Sequence, residues 1–314
     1  MTEHVLWTER YRPKTVEDCV LPESIKAQFR NFVEREEIPN LLLVGKPGTG
    51  KTTIAKAMIE QVDADFLFIN ASKDGGIDTL RTTIQDYASR MSLQSHRKFV
   101  IMDEADDLTH KTQTSLRSFI EEYSKYCGFI LTGNYKAKLI EPLRKRLINV
   151  DFKMPAKNTD EWKTLVKQAA QVSVKILKEN NVEYDSKSVL LFVMANYPDM
   201  RSIINGLQQF ANHGGVTEDL VNLSLNNNFT NLFKYLKDKD FASMVRWVDE
   251  NRDVEMSTLI EALYSHFSEK KEIDKSKLPA LIYHMNEYDY KNAFVTDSTL
   301  NIKAMLMMVM NECF

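Results

Sequence analysis

Five short apolar runs in the first half of the chain limit its fold more than any other feature. They read NLLLVG from Asn40, FLFIN from Phe66, KFVIMD from Lys98, GFILTG from Gly128 and INVDF from Ile148. Each has the length of a strand and is apolar at nearly every position, the pattern of strands covered on both faces. Between them, KTTIAKAMIEQV, IDTLRTTIQDYASRM and QTSLRSFIEEY repeat apolar residues at three-to-four spacing, as amphipathic helices do. Strand alternating with helix predicts an α/β fold with a central parallel sheet and helical crossovers.

The strand-like runs stop after Phe152, and Pro155 with the polar AKNTD marks a boundary. Helical patterns follow in EWKTLVKQAAQVSVKILKEN, SVLLFVMANY and PDMRSIINGLQQF, the last with Asp199 as its expected N-cap. His213-Gly214-Gly215 interrupts the series, and TEDLVNLSL predicts one more short helix. No glycine and only Pro279 occur in the 99 residues after Gly215, so the end of the chain reads as all-helical. The expected domains are 1–154 with the sheet, 155–226 as a small helical domain and 227–314 as an all-helical C-terminal domain. The Met-rich stretch Met305 to Met310 suits either a packed stripe or an adaptable binding surface.

No apolar run approaches the roughly 18 residues needed to span a bilayer. The polar start MTEHVLWTERYRP carries no apolar signal segment, which predicts a cytoplasmic protein without membrane contact. Cys19, Cys127 and Cys313 form no CxxC pair and suggest neither a disulfide framework nor a zinc module.

Gly45-Lys46-Pro47-Gly48-Thr49-Gly50-Lys51-Thr52 follows the first strand directly and opens a helix. Glycines there let the backbone turn tightly, so that successive N–H groups and the helix N-terminus, through Thr53, point at an anionic phosphate. Lys51 is expected on the β- and γ-phosphates of ATP and the Thr52 hydroxyl on Mg²⁺. Asp103 and Glu104 close the third strand. A carboxylate in that position can hold Mg²⁺, the role expected of Asp103, and Glu104 is then set to polarise the attacking water. Asn134, after the next strand, either orients that water or supports its turn.

Taken together these residues resemble the AAA+ P-loop ATPases, and within them the sliding-clamp loaders. The segments that carry the resemblance are WTERYRPKTVEDCV, NASKDGGIDTLR, DEADDLTHKTQTSLRSFIEEYS and PDMRSIINGLQQ, each similar to its counterpart in replication factor C small subunits. The compact length with a plain helical end is more similar to the ATPase subunit of T4-like bacteriophage loaders. The resemblance covers the chain to about residue 225 and beyond that rests on length and helical character. It implies that Tyr11, Arg12 and Pro13 lie by the adenine, that Arg201 of the helical lid reaches the γ-phosphate, and that Asn134 is a polar sensor. The C-terminal domain would be the collar that joins subunits.

Clamp loaders carry an arginine in a Pro-Leu-X-Ser-Arg-Cys stretch that enters the neighbouring subunit's ATP site. The matching stretch here is Pro142-Leu143-Arg144-Lys145-Arg146-Leu147, with Lys145 in place of the usual serine and Leu147 in place of the cysteine. Arg146 falls on the finger position, and Arg144 is its rival. Up to Asp151 basic and acidic residues balance at 22 each, and the whole chain carries −3, so global attraction to a polyanion is excluded. Contact with primer-template DNA must come from local features, and the resemblance implies Lys73, Gly76, Ile77 and Arg81 at one helix start, Lys111 and Thr112 at another. Solvated helix surface is the other reading of these basic residues. Gln113 and Arg117, on the helix after the acids, could couple DNA to Glu104. Met91 and Leu93 are the candidate contacts to the clamp, or else are buried under the chain itself. The implied function is the ATPase subunit of a hetero-oligomeric sliding-clamp loader, host-cytoplasmic if phage-encoded. The alternatives are another AAA+ DNA-associated ATPase, of branch-migration or initiator type, and a non-catalytic scaffold subunit.

Overall fold

Strands β1 (Leu41–Val44), β2 (Phe66–Asn70), β3 (Lys98–Asp103), β4 (Cys127–Gly133) and β5 (Ile148–Asp151) form one sheet in the order β2-β3-β4-β1-β5. Every pairing is parallel, with Leu41 opposite both Ile130 and Ile148, and Asn70 opposite Asp103. The computed structural model describes residues 6–74, 76–89, 98–221, 229–252, 254–269, 274 and 276–314. They divide into two compact units, Met1–Glu218 and Asp219–Phe314.

In the first unit, side chains alternate across the strands and fill a core on each face of the sheet. Leu41, Leu43, Phe99, Ile101 and Ile130 pack with helices α2 (Glu23–Glu34) and α3 (Lys51–Gln61), which contribute Phe29, Ile54 and Met58. Leu42, Val44, Val100, Met102 and Leu131 face the other way, toward α5 (Ile77–Ser89) and α6 (His110–Tyr123) with Leu80, Ile84, Leu116 and Ile120. Short helices α1 (Trp7–Arg10), α4 (Ala71–Asp74) and α7 (Glu141–Arg144) complete the sheet region. The expectation that all five strands are covered on both faces needs correcting at the two edges. Phe68 on β2 is 39% exposed and Ile148 on β5 is 50% exposed, because an edge strand has a neighbour on one side only.

Helices α8 (Asp160–Glu179), α9 (Ser186–Asn196) and α10 (Met200–Asn212) belong to the same unit. Each begins on a side-chain cap, with Thr159, Asp185 and Asp199 accepting from the N–H of Trp162, Ser188 and Ser202. Asp199 therefore caps the helix assigned to it from the sequence.

The second unit consists, among its described residues, of helices and their connections. After a helical turn at 218–221 come α11 (Thr230–Lys237), α12 (Phe241–Glu250), α13 (Met256–Glu269), α14 (Leu278–Asn292) and α15 (Ser298–Cys313). They enclose one apolar core that includes Leu236, Trp247, Leu263 and Leu281. The Met-rich stretch turns Met305 and Met310 into that core beside Ile302, Leu306 and Val309, and leaves Met307 exposed. It is a packed stripe. Among the described residues, no helix is long and apolar enough to cross a membrane.

Candidate active site

β1 leads straight into the glycine loop. Gly45 N donates to Gly133 O at 3.2 Å, which ties the start of the loop to the end of β4. The loop turns through left-handed backbone at Gly48 (φ 73°) and at Gly50 (φ 90°), the residue that precedes α3. Lys51 is buried, and its Nζ donates to Gly45 O (2.7 Å), Lys46 O (2.8 Å) and Asn134 Oδ1 (3.0 Å). Burial pushes its ammonium below the usual lysine value, and the charge of Arg201 adds to that, while Asp103, Asp106 and Glu104 oppose it. A charged amine held out of water gains strongly from an anionic partner.

Asp103 ends β3 within reach of the first turn of α3. Its Oδ1 accepts from Thr52 Oγ1 at 2.6 Å and from Thr132 Oγ1 on β4. A hydroxyl and a carboxylate oxygen side by side are a hard donor set that fits Mg²⁺. Glu104 follows with φ 58°, a left-handed backbone unusual for a side chain of its size, and its N–H donates to Thr132 Oγ1 at 3.3 Å. Asp106, in the 3-10 turn Ala105–Asp107, is buried, and its Oδ2 accepts from Asn134 N (3.1 Å) and Tyr135 N (3.0 Å). The backbone turn after β4 is thus held by Asp106, which leaves the Asn134 side chain free to meet Lys51.

One cleft joins this loop to the N-terminal segment and the last helix of the unit. Tyr11, Arg12 and Pro13 line it together with Gly48 to Thr53, Met200, Arg201 and Ile204. The Tyr11 hydroxyl accepts from Asn180 Nδ2 on the chain just after α8 at 2.7 Å, and Trp7 N donates to Gln208 Oε1 on α10 at 3.0 Å. These bonds fix the segment against helices far along the chain. Arg201 is exposed at the start of α10, and its cap Asp199 presses on the glycine loop, since a Cβ on Gly48 would lie 2.2 Å from Asp199 Oδ1.

Arg146 lies elsewhere. It precedes β5, whose first residue Ile148 is level with Leu41 at the start of β1, whereas the glycine loop follows Val44 at the end. Four strand residues span roughly 13 Å at about 3.3 Å each. Arg146 therefore stands at the amino end of the sheet and its own glycine loop at the carboxyl end. There the exposed Arg146 guanidinium donates through Nε to Glu121 of α6 and through NH1 to Pro142 O at 3.4 Å. Arg144 is half-buried, and its Nε meets no partner among the described residues. Lys145 pairs with Glu141 at 2.7 Å.

Helices α5 and α6 both start at the carboxyl end of the sheet, where β2 and β3 deliver them. Lys73, Gly76, Arg81 and Lys111 are exposed there, and Ile77 opens α5. Thr112 needs a correction as a surface contact: it is buried, and its hydroxyl is engaged with the capping Thr109 at 2.9 Å. Gln113 is buried as well. It donates to Leu108 O (2.9 Å) and Lys138 O (3.1 Å) and accepts from Ile140 N (2.8 Å), so its bonds run to the chain before α7 and not to Glu104. Met91 and Leu93 lie outside the described residues.

Thr132, Asp106 and the Asp199 contact were not assigned roles from the sequence. Thr132 and Asp106 act across the β3–β4 pair, which brings together residues nearly thirty positions apart.

Comparison with known proteins agrees with this geometry. Residues 41–155 match the family described as "ATPase family associated with various cellular activities (AAA)". The chain is 33% identical over 248 residues to the sliding-clamp-loader large subunit of Escherichia phage RB69, covering 77% of this chain and 76% of that one. It is 35% identical over 244 residues to the large subunit of the Enterobacteria phage T4 loader, covering 76% and 75%. Against the replication factor C small subunit of Methanothermobacter thermautotrophicus, identity is 28% over 316 residues, 96% of each chain. Among solved structures, the Thermotoga maritima RuvB Holliday junction branch migration motor superposes with a TM-score of 0.52 at 18% identity, over 69% of this chain and 72% of that one. That likeness speaks to the fold. With a nucleotide loop, an acid-tipped strand and these relatives, the chain is an ATP-hydrolysing enzyme that belongs to the AAA+ family, among the sliding-clamp-loader large subunits and replication factor C small subunits.

Proposed function

We propose that several copies of this chain, with other loader subunits, use ATP to open a DNA polymerase processivity clamp and place it on primer-template DNA. ATP binding tightens the subunits into a spiral that holds the open clamp, DNA triggers hydrolysis, and hydrolysis releases the loader. Energetically the ATP-bound assembly must prefer clamp and DNA over the ADP-bound one, because equal binding by both would drive nothing. Residues 1–154 carry the ATP site, 155–226 form the lid with Arg201, and 227–314 form the collar between neighbours.

Within the site, the amides of Gly45 to Thr53 cradle the phosphates, and Lys51 exchanges its carbonyl partners for phosphate oxygens. Thr52 and Asp103 would hold Mg²⁺, which supplies charge neutralisation across the phosphates. Glu104 polarises the lytic water, Asn134 orients it, and Tyr11, Arg12 and Pro13 border the adenine. Arg146 completes the site of the adjoining copy. Negative charge grows on the γ-phosphoryl oxygens as the bond breaks, and a guanidinium brought there stabilises that state by a factor on the order of 10³ to 10⁵.

The observation that carries this reading is the separation of Arg146 from its own glycine loop by the length of β1 and β5. If an arginine so far from its own phosphates meets a phosphate, that phosphate belongs to another subunit. Lys73, Arg81 and Lys111, with the N-termini of α5 and α6, would follow phosphates of one DNA strand without reading bases. A scaffold role is disfavoured by the joined set Lys51, Thr52, Asp103 and Asn134.

ATP turnover by the isolated chain and by its purified complex, with and without clamp and primed DNA, tests the proposal. Slow turnover alone and a rise on the order of 10³ in the full assembly is expected. Equal rates in every condition would overturn it.

A further inference from the structure

The geometry points to Glu121 as the positioning residue for Arg146, a role that rests on the reading of Arg146 as a finger acting in a neighbouring site. α6 starts at the carboxyl end of the sheet and runs back to the amino end, so that Glu121, two residues before its last residue Tyr123, arrives beside the turn that follows α7. The helix buries Thr112, Gln113, Leu116 and Ile120. Its backbone is therefore anchored in the core at Ile120, one residue away, while the Glu121 side chain stands 45% exposed. Arg146 likewise has a core residue beside it, the buried Leu147. Arg146 follows a single helical turn and is itself 38% exposed.

A guanidinium presents five N–H donors in a planar fork. Glu121 takes the Nε side of that fork and Pro142 O takes NH1. Among the described residues the fork makes no other bond, which leaves its remaining N–H groups available to a further acceptor. This is the arrangement that lets one edge be fixed by the arginine's own chain while the other meets a phosphate oxygen. An exposed ion pair adds little to folding stability, so the consequence of this one is geometric. Without it, a long side chain on a surface turn explores many rotamers, and each crossing of the subunit boundary must find the productive one again.

Two substitutions separate orientation from charge. Glu121→Ala removes the acceptor, and Glu121→Gln keeps an acceptor of the same length while removing the charge. Each is assembled with its partner subunits, clamp and primed DNA, and kcat and KM for ATP are measured, with thermal melting of the free chain as a check on folding. The expected result is a fall in kcat of about tenfold for Glu121→Ala, a KM close to the parent's, and recovery of most of the loss in Glu121→Gln. Unchanged kcat in Glu121→Ala would overturn the role, and so would a rise, which would make Glu121 a restraint on the finger. Equal losses in both variants would overturn orientation by hydrogen bonding. Arg146→Ala is the reference. If it leaves assembled turnover intact, the finger reading itself falls, whereas a slow Arg146→Ala beside a fully active Glu121→Ala removes only the role of Glu121.

Discussion

Lys51 shows how much of this site depends on single side chains. It opens the helix after the glycine loop, where it would meet the phosphates, and removal from water lowers the affinity of its amine for a proton although loop carbonyls and Asn134 accept from it. Only the protonated form can pair with phosphate. Because its pKa lies below the usual lysine value in the free enzyme, the charge is lost at lower pH than an exposed lysine would lose it. The kcat/KM of the assembled ATPase should accordingly fall on the alkaline side before the ordinary lysine range is reached. A pH profile that stays level up to that range would contradict the assignment. That Lys51 and Thr52 come together with Asn134 and Asp103 is legible from their places after successive strands. Asp106 stands in the same acidic run as Asp103, yet its task is set by the backbone of Asn134 and Tyr135 in the turn after β4. Nothing in the run itself says which acid faces inward.

At the scale of elements, the parallel sheet and its crossovers follow from the apolar runs, and the caps at Thr109, Asp185 and Asp199 follow from residue type. α2 is hard to read from the sequence because its apolar residues, Ile25, Phe29 and Phe32, are diluted among charged ones, and Arg30 bridges Glu17 and Glu23 on the exposed side. The edge position of β2 and β5 is also invisible in their composition, since strand order is decided by which helices cross where. The loop offers a test of element packing. Gly48 and Gly50 both have positive φ, but only Gly48 is pressed by Asp199, whereas a Cβ on Gly50 would find Leu21 at 3.9 Å. Gly48→Ala should weaken ATP binding by at least about tenfold through backbone strain together with displacement of the α10 cap, and Gly50→Ala by less. Titration of each variant with a fluorescent ATP analogue measures this. Equal losses would mean that the contact between the loop and Asp199 has no part in binding.

At the scale of the whole molecule, the glycine loop and Arg146, proposed to complete a neighbour's site, sit at opposite ends of one sheet. On the proposed reading this separation makes assembly the switch for hydrolysis; Pro142 to Leu147 alone puts Arg146 on the finger position and leaves Arg144 as its rival. In the fold Arg146 pairs with Glu121, and the Arg144 Nε is buried. Complementation between two defective chains probes the claim most directly. Lys51→Ala lacks a working phosphate loop but keeps Arg146, and Arg146→Ala keeps the loop but lacks the finger. Each variant assembled alone should turn ATP over slowly. Particles formed from both should regain a substantial fraction of wild-type turnover, because some loops then face an intact arginine. Mixed particles no faster than either parent would contradict a site shared between subunits.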